Sequence, residues 1–205
     1  MRRIKILLVD LNPNIVESWK EAKIQSEKFD IEIHQGSFLD FEASALVSPA
    51  NSFLYMNGGI DLPIRNYINE KTGRDIVAEM QNRIRNSEYM GEILVGQALL
   101  TKIDTEKFFY LISAPTMRVP SPIFGTKNVY LATRAALSQL IKHNKSYQIL
   151  TDNSISSILI PGMGTGVGQI SPESCAQQMK EAIEFFDNPN YPQSLTDVYN
   201  NNLEL

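Results

Sequence analysis

The sequence predicts a single α/β domain, and three observations carry that prediction. Short apolar, β-branched segments alternate with segments whose apolar residues recur every three or four positions. No internal repeat or clear linker interrupts the chain before about residue 187. The length, 205 residues, corresponds to about 1.4 typical domains, so one elaborated domain is favoured over two small ones. A chain of this size buries roughly 70% of its unfolded surface. Its core therefore needs neither disulfides nor metal.

The elements follow in order. Ile4 to Val9 is apolar and β-branched, a buried first strand. Asn12-Pro13-Asn14 breaks the chain, and Ile15, Trp19, Ala22 and Ile24 then fall near helical spacing, with Trp19 placed in the core. Asp30 to His34 alternates as a second strand that ends at Gly36. Ala45 to Ser48 is a short buried strand closed by Pro49. Ile60, Ile64, Tyr67 and Ile68 mark a helix ending at Gly73, and Ile76, Val77, Met80 and Ile84 mark another over Asp75 to Ile84. Val95 to Ile103 and Phe108 to Ser113 read as two strands. Ala114 to Thr126 contains three prolines and one glycine and reads as a long loop. Val129 to Ile141 is helical, and Ser157 to Ile160 is the last strand. Ser171-Pro172-Glu173 opens a final helix with a hydroxyl cap, a first-turn proline and an acid at the positive end of the dipole. That helix should run to about Phe186. The division expected is one domain over 1–186 and a polar, loosely packed appendage over 187–205.

Composition excludes several classes of function. The net charge is -4 and the pI about 5.3. No basic stripe is present for duplex nucleic acid, whose phosphates dominate affinity. No run of apolar residues is long enough for a membrane-spanning helix. The start, Arg2 to Asp10, is too short and too interrupted for a secretory leader. The single cysteine, Cys175, reads as packing inside a helix, and His34 as a strand residue; with the distant His143 they form no zinc ligand set. A cytoplasmic protein without metal or cofactor is expected.

Three stretches can carry chemistry. Pro161-Gly162-Met163-Gly164-Thr165-Gly166-Val167-Gly168 follows a buried strand and precedes a helix. Glycines admit positive φ and close ligand approach, and successive amides can cradle phosphate. The alternative is a simple turn. No Lys-Ser or Lys-Thr follows, so this is not a Walker loop, and the spacing fails the dinucleotide fingerprint. The second stretch is Ser48-Pro49-Ala50-Asn51-Ser52 with Asn57-Gly58-Gly59-Ile60-Asp61. Asn51 offers a donor and an acceptor to sugar hydroxyls. Asp61 lies near a helix start, as either a cap or a functional carboxylate. The third is Ala114-Pro115-Thr116-Met117-Arg118-Val119-Pro120, where Arg118 is suited to phosphate or to a surface acid. Val9-Asp10 lacks the additional carboxylates of a phosphoacceptor pocket, since the later strand ends in Ser48-Pro49.

Together these residues resemble the macro domain family of ADP-ribose-binding modules, over roughly Asp30 to Phe186. The likeness is greatest to the branch with Ser-Pro-Ala-Asn, Ala-Pro-Thr-Met-Arg-Val-Pro and Gly-Thr-Gly-Val-Gly motifs. The resemblance implies a three-layer α/β/α sandwich around a mixed, mostly parallel six-stranded sheet, with the ligand across the strand ends. It implies that Asn51 meets the distal ribose, that Gly58 and Gly59 line the ribose and diphosphate, and that Gly164, Thr165, Gly166 and Val167 wrap the diphosphate. In hydrolytic members an aspartate at the position of Asp61 aims or activates water at the anomeric carbon. Ser37, Phe38, Ala50, Ile60, Arg118, Gly162 and Gly168 complete the expected ligand-binding set, and Asn51 and Asp61 the catalytic pair. Two departures stand out. Gly36-Ser37-Phe38 replaces the family's Gly-Asp-Ile, so the carboxylate that reads the adenine amino group is missing. Gly168 replaces the usual aromatic of the diphosphate loop, which should open the distal pocket to a larger ADP-ribose derivative.

The leading expectation is a metal-independent hydrolase acting on an ADP-ribosyl linkage or an ADP-ribose phosphate ester. A non-catalytic reader of ADP-ribose needs the same glycine loops but not Asp61. An interaction protein that kept only the fold is the third class, since fold alone does not establish function.

Overall fold

The computed structural model describes residues 3–146, 154–189 and 193–203. Parts of the expected appendage, residues 190–192 and 204–205, lie outside the described residues, as do Met1 and Arg2.

The chain runs β1 (Ile4–Asp10), α1 (Pro13–Glu21), β2 (Phe29–Gln35), β3 (Ala43–Ser48), α2 (Asp61–Thr72), α3 (Ile76–Arg85), β4 (Leu99–Lys102), β5 (Phe108–Ser113), α4 (Asn128–Ser146), β6 (Ser157–Ile160), α5 (Pro172–Glu184) and α6 (Leu195–Leu203). The six strands form one sheet in the order β2-β1-β6-β3-β5-β4. The first five in that order pair in parallel, and β4 joins the edge antiparallel to β5. The predicted mixed, mostly parallel six-stranded sheet is therefore present.

Strand periodicity sorts the core into two layers. Side chains on a strand alternate between faces. Ile6 and Leu8, Ala45 and Val47, and Ile158 and Ile160 pack with α1, α4 and α5 in one apolar cluster. Leu7 and Val9, Leu46, and Leu159 pack with α2 and α3 in the other. These strands are apolar throughout because helices cover both faces, as parallel sheets require. Trp19 is fully buried on α1, and its indole N–H meets Met179 Sδ of α5 at 3.4 Å.

Local signals fix the helix ends. Asn12 caps α1 by accepting from Asn14 N, with Pro13 in the first turn. Gly73 closes α2 in the left-handed region. Asp75 caps α3 through Ala78 N, and Ser171 caps α5 through Ser174 N.

Some elements differ from the sequence expectation. The strand expected over Val95 to Ile103 is only Leu99–Lys102, because Gln97 N closes a turn onto Leu94 O and Gly96 holds positive φ. α4 extends beyond both ends of the expected helix, and α5 ends before Phe186. The segment after residue 186 begins with a docked residue: Asp187 accepts from Ser26 Oγ at 2.7 Å and from the amides of Glu27 and Lys28. It also contains α6, where Leu195 and Tyr199 are exposed.

Candidate functional site

A cleft of about 440 Å³ opens at the carboxyl ends of the parallel strands. Its walls come from Val9 to Leu11 after β1, Gly36 to Leu39 after β2, Pro49 to Asn51 after β3, Thr116 and Met117 after β5, and the glycine loop after β6. Open α/β sheets place ligands at this edge, because the loops there leave the sheet on both sides of a crevice.

The glycine loop forms one wall. Gly164 has φ +71, a conformation that glycine adopts without steric cost. Gly168 is fixed by close approach: a Cβ there would lie 2.3 Å from Gly164 O. The loop is tied by Ile123 N to Gly168 O at 2.8 Å, Gln169 N to Gly166 O at 3.1 Å, and Ile170 N to Gly164 O at 3.3 Å. The amides of Gly164 to Gly168 donate to no acceptor among the described residues. Gly166 and Val167 are exposed at the cleft. A loop of unpaired N–H groups before the N-terminus of α5 is suited to an anion.

Asp10 braces this wall. Its Oδ2 accepts from Gly162 N at 3.0 Å, and its Oδ1 accepts from Asn12 N at 2.8 Å. A Cβ on Gly162 would lie 2.7 Å from the same Oδ2, so Gly162 is set by its contact with β1. Asp10 is absent from the predicted site. Its position at the carboxyl end of a parallel strand is the signal that could have found it.

The opposite wall is the segment between β3 and α2. Thr116 N donates to Ala50 O and Ser52 N to Met117 O, which fastens this segment to the chain after β5. Asn51 lines the cleft but is buried, and its amide organises its own loop. Nδ2 donates to Tyr55 O at 2.9 Å, while Oδ1 accepts from Phe53 N at 3.1 Å and Tyr55 N at 3.4 Å. One N–H of Nδ2 remains for a ligand. Ala50, Gly58, Gly59 and Ile60 line the same wall.

Asp61 occupies the first position of α2 without acting as a side-chain cap. Its Oδ1 accepts a 2.6 Å hydrogen bond from Ser48 Oγ. Desolvation pushes its carboxyl up to about 6, and the Ser48 hydroxyl pulls in the opposite direction. Burial disfavours the charged form, so the carboxyl stands above the usual carboxylate range, closer to a group that can both accept and release a proton.

Ser37 and Phe38 lie at the far end, on a single 3-10 turn, Phe38–Asp40. The Ser37 hydroxyl accepts from Leu39 N, and Asp40 Oδ2 accepts from Ser37 N, a reciprocal cap. Phe38 is buried and packs edge-on to Tyr67. Leu11 and Leu39, 70% and 39% exposed, flank this end. They offer apolar surface for a flat ring.

Arg118 is not among the residues lining the cleft. Its guanidinium makes a two-pronged pair with Glu92, at 2.6 and 3.1 Å, and stacks over Phe53 at 5.2 Å. Of the two roles open to it, pairing with a surface acid is the one it adopts. Among the described residues, the cleft is lined by two carboxylates, Asp10 and Asp61, and by no lysine, arginine or histidine. Cys175 is fully buried and does not line the cleft, with its thiol pushed up to about 12 by burial. His34 bonds to Glu32 and packs on Phe41. No helix among the described residues is long and apolar enough to cross a membrane.

Comparison with known proteins gives this arrangement its context. The macro domain family model matches residues 47–179. A protein of Aquifex aeolicus is 34% identical over 77% of this chain and 83% of its own length. A macro domain-containing protein of Listeria monocytogenes is 24% identical over 82% of this chain and 87% of its own. Among solved structures, a variant of the Oceanobacillus iheyensis macrodomain with ADPR superposes with a TM-score of 0.56 at 20% identity, covering 82% of this chain and 89% of that one. The macrodomain of DarG from Mycobacterium tuberculosis superposes with a TM-score of 0.55 at 20% identity, covering 76% and 90%. With the family model matching more than half of its length, the chain belongs to the macro domain family.

Proposed function

We propose that the cleft binds an ADP-ribose derivative and hydrolyses the bond at the anomeric carbon of its distal ribose, without a metal. The observation that carries this reading is Asp61. It lies in the cleft wall, turned from its own helix amides toward Ser48, with its carboxyl raised by burial to about 6. A carboxylate that only capped α2 would bond the amides of the first turn.

In this reading the unpaired amides of Gly164 to Gly168 hold the diphosphate, and the remaining N–H of Asn51 meets a ribose hydroxyl. Fixing the ligand in this way supplies proximity and charge stabilisation. The free oxygen of Asp61 accepts a proton from water, the water oxygen bonds to the anomeric carbon, and the bond to the leaving group breaks with its electron pair. Positioned proton transfer of this kind contributes about 10²–10⁴-fold. Leu11 and Leu39 offer an apolar seat for the base. The Ser37 hydroxyl accepts from Leu39 N in its own turn and keeps its O–H donor for an acceptor atom of the base.

The charge of the cleft favours glycosidic linkages over a phosphate ester. The positive end of the α2 dipole, which would otherwise attract an extra phosphate, carries Asp61, and no cationic side chain among the described residues lines the cleft. A further dianion beside that carboxylate is repelled.

Calorimetric titration with ADP-ribose tests the binding step. Wild-type protein should give heat of binding that Gly166→Glu abolishes. The exposed Gly166 has open space around its Cβ position, so the variant should keep its circular dichroism and melting temperature. Its carboxylate would stand where the diphosphate is held. Equal binding by the variant would reduce the glycine loop to a turn.

A further inference from the structure

We infer that Ser48 is a positioning residue of this site: its hydroxyl holds one oxygen of the Asp61 carboxylate and leaves the other to receive the proton of the attacking water. The inference rests on the hydrolytic reading above and adds to it the residue that makes Asp61 usable.

Three observations support it. Ser48 is fully buried and is the last residue of β3, a strand held between β6 and β5. Ser48 O accepts from Ala114 N at 3.0 Å, and Ser48 registers with Ser113 of β5. Its hydroxyl therefore projects from one of the most constrained positions in the sheet. Its hydroxyl contact is with Asp61 Oδ1, at 2.6 Å, a short charge-assisted geometry.

Asp61 has no other side-chain anchor among the described residues. Its helix offers none: Ile60 precedes it in a helical conformation, and no side-chain cap bond forms. Asp61 Oδ2 accepts from no group among the described residues, and Asp61 lines the cleft. An unanchored carboxylate would rotate between several positions and face water in few of them. One fixed oxygen selects a single rotamer, the preorganisation that catalytic geometry requires.

The charged groups around the cleft leave Ser48 as the specific influence on this carboxylate. On α2, Arg65 stands one turn beyond Asp61 and turns its guanidinium to Asn66 Oδ1. After β1, Asp10 is bonded to the amides of Asn12 and Gly162. In the loop before α2, Tyr55 lines the cleft and is about half exposed. After β5, Arg118 is paired with Glu92. Burial raises the Asp61 carboxyl, and the Ser48 hydroxyl is the contact that lowers it. Removing that hydroxyl must raise the carboxyl further. A base works only when ionised, so the acidic limb of the activity profile must then move to higher pH.

The test compares wild type, Ser48→Ala and Ser48→Thr by carboxyl carbon-13 NMR titration, with Asp61→Asn assigning the resonance. The Ala variant removes one oxygen from a packed site, and its melting curve verifies that the fold is kept. Asp61 should titrate near pH 6 in wild type and at a pH higher by about half a unit or more in Ser48→Ala. The Thr variant, which restores the hydroxyl, should return toward wild type. The acidic limb of kcat should move by the same amount in Ser48→Ala, with KM nearly unchanged. An Asp61 titration identical in wild type and Ser48→Ala overturns the inference, whatever happens to Ser48→Thr. Failure of the wild type to turn over any ADP-ribosyl linkage would remove the hydrolytic reading and the catalytic role drawn from it. The NMR titration would still show whether Ser48 holds the carboxylate, so the two failures are distinguishable.

Discussion

At the scale of single residues, Asp61 sets stability against the proposed function. Its carboxyl is raised from 3.8 to about 6 in the folded protein. Between those values the folded state binds more protons than the unfolded chain, so stability falls as pH rises through this window. At pH 7.5 the ionised carboxylate is a net cost. A shift of two units corresponds to about 3 kcal/mol at most, and the open side of the cleft reduces it. Asp61→Asn keeps an acceptor for the Ser48 hydroxyl and removes the charge. It should therefore raise stability at pH 7.5 by about 1–2 kcal/mol, or roughly 2–8 °C in melting temperature. The gain should vanish near pH 4. Thermal melts of both proteins at the two pH values check this directly. Asp61 was legible in the sequence because two glycines and a helix start framed it. Its partner Ser48 stood in a quoted motif, but a hydrogen bond between residues thirteen apart leaves no periodic trace. The pairing of Arg118 with Glu92, twenty-six residues apart, was equally invisible, so the sequence left its two roles open.

At the scale of elements, the glycine loop divides into residues that build it and residues that face the open cleft. Gly168 belongs to the first group: a Cβ would meet Gly164 O at 2.3 Å and Ile123 Cγ1 at 2.9 Å. The sequence comparison with the family suggested that Gly168 leaves the distal pocket open. Packing shows a further cause, since the loop closes on itself at this glycine. Gly168→Ala should cost about 1–3 kcal/mol, the usual penalty for overpacking, measured by urea unfolding. Gly166→Ala, with free space, should lie within about 0.5 kcal/mol of wild type, as surface substitutions usually do. Equal stability of the two variants would contradict the division. Strand–loop–helix order made this element readable. β4 is shorter than its sequence pattern suggests, because apolar residues from Val95 onward continue that pattern through a turn at Gly96. The turn after β2 leaves no sequence signal, because a single 3-10 turn is too short to show periodicity.

At the scale of the whole molecule, two layers of helices and a parallel sheet bring distant segments to one edge. Ile6 and Leu7 face opposite clusters, and that alternation identifies the strands as central. The order β2-β1-β6-β3-β5-β4 is not encoded in any local pattern. The family likeness implied a mixed, mostly parallel six-stranded sheet but not this order. That order places Asp10, Ser37, Asn51, Asp61 and the glycine loop around one cleft, although they span more than half of the sequence. The central claim is that this cleft is a hydrolase site whose base is Asp61. The most direct measurement is turnover of ester-, arginine- and phosphate-linked ADP-ribose by wild type and by Asp61→Asn, with ADP-ribose affinity determined in parallel. The wild type should release ADP-ribose from at least one glycosidic linkage. The Asn variant should bind ADP-ribose with similar affinity and turn over at least about 10²-fold more slowly, the usual effect of removing a positioned acid–base group. Undiminished turnover by Asp61→Asn, or a wild type that binds ADP-ribose and cleaves none of the three linkages, would contradict the claim.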